Sequence, residues 1–297
     1  MRWTEFDGKL KIELPLEFSY RECLVFLERS PLEVLHHVHE NNIYKVIKMN
    51  AELILIKISY KDHVLVIEFP DKEPPNMETV VEFIGNWFDL NRDLSLFYDA
   101  VSEDSLLQPL VKRYFGLRMI GIPDLFEALT WAIMGQQINL TFAYTLKKRL
   151  VKSFGQSVVI QKNEYWAYPS PEIMVELQVD DLRKLQFTTR KAEYVIGIAR
   201  EIVEGRLSKG ILRCSEDPAK RLISLRGIGP WTADYVMMKC LLKTDAFPVA
   251  DVGLQNAVMK QVGLQQKPTI KELKKQAKNW SGWEAYATFY LWRSLYD

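Results

Sequence analysis

LRGIGPWTADYVMMKCLLKTDAFPVAD, residues Leu225–Asp251, is the stretch on which the reading of this chain turns. Gly227 and Gly229 flank Ile228, and Pro230 follows. Glycine permits positive φ and a close approach of backbone to a neighbour. Thr232 then opens a helix whose free N–H groups point back at the turn, an end that favours an anion, typically a phosphate. Pro218–Leu225 is also helical, so the unit is helix, hairpin, helix, and not the strand–turn–helix of a dinucleotide site. Taken alone, GIG reads as an ordinary connection between two helices. The stretch breaks at Pro248 and ends on Asp251. That carboxylate precedes the apolar-spaced Val252, Leu254 and Val258, so it also reads as an N-cap. The two readings are compatible, since a cap fixes a carboxylate in a defined orientation.

Around this stretch the chain is helical from residue 77 almost to its end. Met77–Trp87, Leu94–Tyr98, Glu103–Phe115, Leu125–Phe154, Arg190–Glu204, Asp251–Val262, Thr269–Lys278 and Trp283–Tyr296 show helical apolar spacing or helix-forming composition, about ten short helices in all. Ser157–Ile160 is a candidate short strand. The first 70 residues are different. Lys9–Leu14 alternates with period two, Phe18–Arg29 is helical with Ser19 and Glu22 placed for a capping box, and Tyr44–Met49, Leu53–Ser59 and Val64–Phe69 are strand-like. The breaks Asn50-Ala51-Glu52 and Lys61-Asp62-His63 are hairpin-sized. Asp71–Asn76, with two prolines among charges, reads as a linker. The expected fold is α+β: an N-terminal antiparallel-sheet α+β domain at 1–76, then a mainly helical two-lobed body at 77–297. A central lobe at about 124–242 carries the helix-hairpin-helix, and a second lobe combines 77–123 with 243–297.

Composition narrows the class. With 297 residues, 48% hydrophobic and 26% charged, this is an ordinary globular chain that needs no staples. Residues 1–100 hold 11 Lys and Arg against 18 Asp and Glu, while the other 197 hold 28 against 20, so the helical part is the basic one. Cys23, Cys214 and Cys240 are far apart, make no metal spacing and suit a reducing compartment. The N-terminus is polar and no long apolar run occurs, so a cytoplasmic protein without a membrane span is expected. His36-His37-Val38-His39 lacks the further ligands a metal site needs.

Two further groups bear on chemistry. Trp231, directly after the turn, is open to whatever the turn binds, and aromatic faces stack on nucleobases, cationic ones especially. Tyr290 and Trp292, in an apolar terminal helix, read equally as core or pocket. Met134–Asn139 (MGQQIN) interrupts an apolar helical run, either as a turn presenting amides or as a solvated corner.

Together, the Leu225–Thr232 hairpin, the W-T-A-x-Y that follows and an aspartate twenty residues past Trp231 resemble the helix-hairpin-helix DNA glycosylase superfamily. Arg226 departs from it by replacing the usual proline. The chain is most similar to the alkylation-repair branch, the 3-methyladenine DNA glycosylase II type. Trp231 stands where lyase members carry a lysine nucleophile, and the C-terminus lacks a four-cysteine iron–sulphur loop. Pro123–Asn139 and Leu185–Ala199 also resemble the superfamily's helical core. The resemblance implies a monofunctional enzyme that flips an alkylated purine out of duplex DNA and hydrolyses its N-glycosidic bond. It implies Asp251 as the catalytic carboxylate and a base pocket of Trp231, Tyr235 and Trp292. It also implies a DNA phosphate site at Gly227, Gly229 and Thr232, and Gln137 as the wedge in the gap left by the flipped base. Double-stranded DNA with damaged bases is the expected partner and the monomer the expected state. No cofactor is expected apart from a monovalent cation at the hairpin carbonyls. The alternatives are the same fold acting on an oxidised or deaminated purine, a non-catalytic DNA-binding module, and a small-molecule helical enzyme, which would show no salt-sensitive DNA affinity.

Overall fold

The computed structural model describes residues 1–49 and 52–297. The chain begins with β1 (Trp3–Phe6), β2 (Lys9–Glu13), α1 (Tyr20–Leu27), β3 (His36–His39), β4 (Asn42–Met49), β5 (Glu52–Lys61) and β6 (Val64–Glu68). The strands make one antiparallel sheet in the order β1-β2-β6-β5-β4-β3. Alternation along β2 and β6 puts Leu10, Ile12, Leu65 and Ile67 on the buried face, where α1 packs. Tyr20 fixes that packing by donating its hydroxyl to Asn41 O at 2.8 Å and Ile58 O at 3.1 Å. The β5–β6 hairpin turns through Asp62 and His63, both at positive φ. The hairpin expected at Asn50-Ala51 lies outside the described residues.

The sheet differs from the sequence expectation at its edges. β1 and β3 were not anticipated. β3 is the histidine run: His36 turns inward, with Nε2 3.0 Å from Leu27 O, and the run is an edge strand. Ser19 caps α1 by accepting from Glu22 N at 3.3 Å. The return half of the expected box is missing, because the buried Glu22 carboxylate accepts from Arg293 Nε at 2.6 Å instead.

The helical body follows with α2 (Met77–Trp87), α3 (Ser95–Ala100), α4 (Leu107–Arg113), α5 (Leu125–Gly135) and α6 (Leu140–Phe154). A small hairpin, β7 (Gln156–Ile160) and β8 (Asn163–Ala167), packs Tyr165 and Ala167 against Val46 and Leu55 of the large sheet. Then come α7 (Pro171–Val175), α8 (Val179–Lys184), α9 (Thr189–Val203), α10 (Lys209–Arg213), α11 (Pro218–Ile223), α12 (Pro230–Lys239), α13 (Val252–Val262), α14 (Ile270–Gln276) and α15 (Glu284–Arg293). The apolar run over 125–154 is two helices, broken at Gly135–Asn139, and α10 and β8 were not foreseen.

Three features hold the parts in register. A single core joins sheet and helices, running from Leu10 to Leu291. The buried Arg293–Glu22 pair ties α15 to α1; removing one partner of such a pair costs about 3–5 kcal/mol. Buried Arg118 donates to the carbonyls of Glu17, Asp89 and Arg92 at 2.6–2.9 Å, bolting the segment after α4 to both sides. α5 packs on α6, α9 and α12, and α13 packs on α15. The starts of α12 and α13 and the end of α15 therefore meet at one place.

Candidate active site

The hairpin between α11 and α12 closes with Ile228 N donating to Leu225 O at 3.1 Å. Gly227 has φ +93°, and a Cβ there would stand 2.3 Å from the Tyr194 ring on α9. Conformation and packing both demand glycine at 227. Gly229 is different, and does not use the positive φ that a glycine permits. Its φ is −95°, and a Cβ there would meet nothing within 4 Å. Gly229 is the N-cap of α12, which begins at Pro230 and not at Thr232. A glycine cap has no side chain to offer, so the first N–H groups of α12 remain directed out of the helix end. Arg226, where the resemblance leads one to expect proline, is held by Glu193 at 2.6 Å and lies over the Tyr194 ring.

Thr232 turns its side chain inward. Its side chain is buried, and its hydroxyl accepts from Gln136 Nε2 at 3.0 Å. Only its main-chain N–H faces the helix end. Gln136 Nε2 also donates to Gly227 O at 2.9 Å, so one amide fastens the α5–α6 turn to both the hairpin and α12. That turn is clamped from below by Lys191 on α9, which donates to Met134 O at 2.7 Å and Gln136 O at 2.8 Å. Burial pushes the Lys191 amine down. The two glutamines thus have opposite fates. Gln136 points inward, and Gln137, at φ +57°, is exposed at the apex of the turn.

Asp251 is the N-cap of α13. Its Oδ1 accepts from Leu254 N at 2.8 Å and from Trp292 Nε1 at 2.9 Å, and its Oδ2 accepts from Trp231 Nε1 at 3.1 Å. Two indoles from different helices therefore aim their only donors at one carboxylate, which also sits at the positive end of the α13 dipole. Tyr235 lies between the indoles, its ring 5.6 Å from Trp231 and 6.2 Å from Trp292 with tilts near 35°. The Tyr235 hydroxyl is engaged by Trp131 Nε1 at 2.8 Å, and burial pushes its phenol up. Trp231 and Trp292 are only half-buried, so their faces remain open. The arrangement is a three-ring aromatic wall around a carboxylate held by three donors.

Four of these contributors were not assigned from the sequence: Gly253, Trp131, Gln136 and Lys191. A Cβ at Gly253 would lie 2.9 Å from Asp251 Oδ1 and 3.3 Å from Trp292 Nε1, so any side chain there disturbs the Asp251–Trp292 bond. The glycine two places into a helix, in Asp251-Val252-Gly253, was the available signal.

Residues 130–282 match the family model described as HhH-GPD superfamily base excision DNA repair protein, which spans the hairpin, Asp251 and most of the helical body. The chain belongs to the HhH-GPD superfamily of base excision DNA repair proteins. Residues 17–129 match a second model, that of the 8-oxoguanine DNA glycosylase N-terminal domain. Among relatives, a Bacillus subtilis protein named DNA-3-methyladenine glycosylase is 41% identical over the full length of both chains. Among solved structures, a 3-methyladenine DNA-glycosylase from Archaeoglobus fulgidus superposes with a TM-score of 0.81 at 23% identity, covering 95% of this chain and 96% of that one. An 8-oxoguanine glycosylase/lyase from Clostridium acetobutylicum in complex with DNA reaches 0.78 at 20% identity, covering 99% and 97%. These superpositions establish the shared fold of an HhH-GPD DNA glycosylase. No helix of the described residues is long and apolar enough to cross a membrane.

Proposed function

We propose that this DNA glycosylase is monofunctional and removes alkylated purines of the 3-methyladenine and 7-methylguanine type from duplex DNA. The observation that carries the reading is the Asp251 carboxylate, gripped by the Trp231 and Trp292 indoles inside the aromatic wall. An N-alkylated purine is cationic, so its glycosidic bond is already weak and its ring is drawn to aromatic faces. Such a base leaves as a neutral molecule and needs no strong acid. The C1′–N bond breaks with its electron pair going to the base. Asp251 balances the positive charge that develops on the sugar, water adds to C1′ and its proton goes to solvent. The residue facing Asp251 from the start of α12 is a tryptophan, which has no amine to form the Schiff base a lyase step requires. The 41% identity to a relative named DNA-3-methyladenine glycosylase supports the same lesion class.

In this reading, the main-chain N–H groups of Gly227, Gly229 and Thr232 take a backbone phosphate beside the lesion, a contact that carries no sequence information. Gln137 enters the helix gap at the apex of its turn and hydrogen-bonds the orphaned partner base. A monovalent cation at the hairpin would use carbonyls other than that of Gly227, which Gln136 already holds. The protein acts as a monomer on damaged duplex DNA. The test is incubation with duplexes carrying 3-methyladenine, 7-methylguanine or 8-oxoguanine, with free base and strand nicking scored separately. Release of the methylated bases without nicking is expected. Nicking by β-elimination, or release of 8-oxoguanine alone, sinks the reading.

A further inference from the structure

Arg226 is the residue immediately before Gly227 in the hairpin, and its side chain is 76% exposed. A guanidinium carries five N–H donors, and one of them is in use, from Nη2 to Glu193 Oε2 at 2.6 Å. The pair is not needed to hold the hairpin on α9. Gly227 already lies so close to Tyr194 that a Cβ would stand 2.3 Å from the ring, and Gln136 holds the Gly227 carbonyl. An ion pair this exposed adds little to stability and is exchanged at small cost. Its effect is to fix where the guanidinium rests. Consecutive Cα atoms are about 3.8 Å apart, so the Arg226 side chain reaches the surroundings of the Gly227 N–H with no movement of the backbone. Beside the pair a groove of about 630 Å³ runs between α9 and the hairpin. A Cβ on Gly197, in its α9 wall, would meet nothing within 4 Å. Four charges line the groove: Arg226, Arg200, Glu193 and Glu201. Arg206 takes up Glu201 through two bonds at 2.7 and 2.9 Å. The remaining charges are two guanidiniums against the one carboxylate of Glu193.

We propose that Arg226 is a DNA-backbone arm that the fold stores on Glu193. When a duplex seats on the hairpin, the guanidinium exchanges the Glu193 carboxylate for a phosphate of the same strand on the groove side. The inference rests on the reading of the hairpin as a phosphate site. It adds a full positive charge beside main-chain N–H groups that carry only partial ones. A guanidinium offers a phosphate two parallel donors, a stronger contact than the single bond it makes to Glu193. Glu193 holds the arm in the free protein and competes with DNA for it, so the carboxylate limits the affinity for undamaged duplex. Such a contact reads charge and not sequence, and its exchangeable partner keeps non-specific binding weak enough for movement along the duplex.

The experiment is equilibrium binding of an undamaged duplex across a series of salt concentrations by wild type, Arg226→Gln, Glu193→Gln and the double variant. Arg226→Gln is expected to weaken binding roughly 5–10-fold near 0.1 M salt and to make the slope of log K against log salt shallower by about 0.9, the signature of one lost phosphate contact. Glu193→Gln is expected to tighten binding about 3-fold, the size of a weak surface pair that no longer has to be broken, with the wild-type slope. In the Arg226→Gln background most of that gain should vanish, because there is no arm left to free. A full Glu193→Gln gain in that background shows a general charge effect and overturns the proposal. So does weaker binding by Glu193→Gln, which would make the carboxylate a support for the arm and not its competitor. Unchanged affinity and slope in Arg226→Gln, with a salt-dependent wild type, overturn the proposal and leave the hairpin site intact. A wild type whose duplex affinity does not respond to salt removes both.

Discussion

Two aspartates in this fold are bonded in nearly the same way and sit in opposite surroundings. Asp104 accepts from Leu106 N and Leu107 N where α4 begins, and its second oxygen accepts from Trp280 Nε1 at 3.1 Å and Asn279 Nδ2 at 3.0 Å. Asp251 likewise receives a helix start and indole donors. Asp104 is 6% exposed, and Trp280 beside it is fully buried. Around Asp251 the indoles Trp231 and Trp292 keep open faces, and the open end of α12 is next door. An indole-held carboxylate is therefore a structural device that this chain uses twice. It becomes a candidate for chemistry only where aromatic faces and an uncapped helix start share its access to solvent.

Substitutions can break that contrast. Asp251→Asn has the largest expected effect: base release falls by roughly 10²–10³ or more in single-turnover assays, the usual size for losing a transition-state electrostatic partner. Asparagine caps helices as well as aspartate does, and its N–H₂ would face only the half-buried Trp231 donor, which water can still reach, so the melting temperature should fall little. Asp104→Asn should do the reverse. Its amide N–H₂ would face donors in a buried site, costing about 2–3 kcal/mol in chemical denaturation, while activity per folded molecule is retained. Gly229→Asp gives α12 the cap that α13 has. Its φ of −95° and open surroundings admit the side chain, so stability should hold or rise, while DNA affinity falls about 10-fold because a carboxylate occupies the phosphate position.

The smallest effect concerns a third aspartate, Asp234 on α12. Burial first, and then the Asp245 carboxylate, push it up to about 6 from an ordinary 3.8. The folded state then holds a proton that the unfolded state has lost, so the stability this group contributes is present below about pH 4 and lost as pH rises through 6. Asp234→Asn should raise stability by about 1 kcal/mol at pH 7 to 8, after discounting for its partial exposure, and by nothing near pH 4. Urea titrations at the two pH values check it.

What the sequence discloses is what is local. The hairpin, Pro230 and the step to Asp251 are marked by glycines, a proline and a lone carboxylate within 27 residues. The sheet's central strands are visible because their apolar residues alternate. What escaped depends on partners far along the chain. Gln136 is a polar residue in a turn until Gly227 and Thr232 arrive to receive its amide. The histidines of β3 hide a strand because their composition suggests other chemistry, and the Trp292 bond to Asp251 requires α15 to be in place, which the buried Arg293–Glu22 pair helps to fix. Gly229 taught the reverse lesson, since its backbone needs no glycine and its openness is left for something outside the protein.

The most direct test puts Asp251→Asn and Asp104→Asn side by side on one duplex carrying 3-methyladenine, with free base, duplex affinity and unfolding free energy measured for each. The structure predicts that Asp251→Asn binds the duplex and unfolds much like the wild type but releases base roughly 10²–10³-fold or more slowly. Asp104→Asn should unfold more easily and release base normally while folded. Base release by Asp251→Asn at the wild-type rate would contradict the assignment of Asp251, and equal losses of stability and activity in both variants would make the two aspartates the same kind of residue.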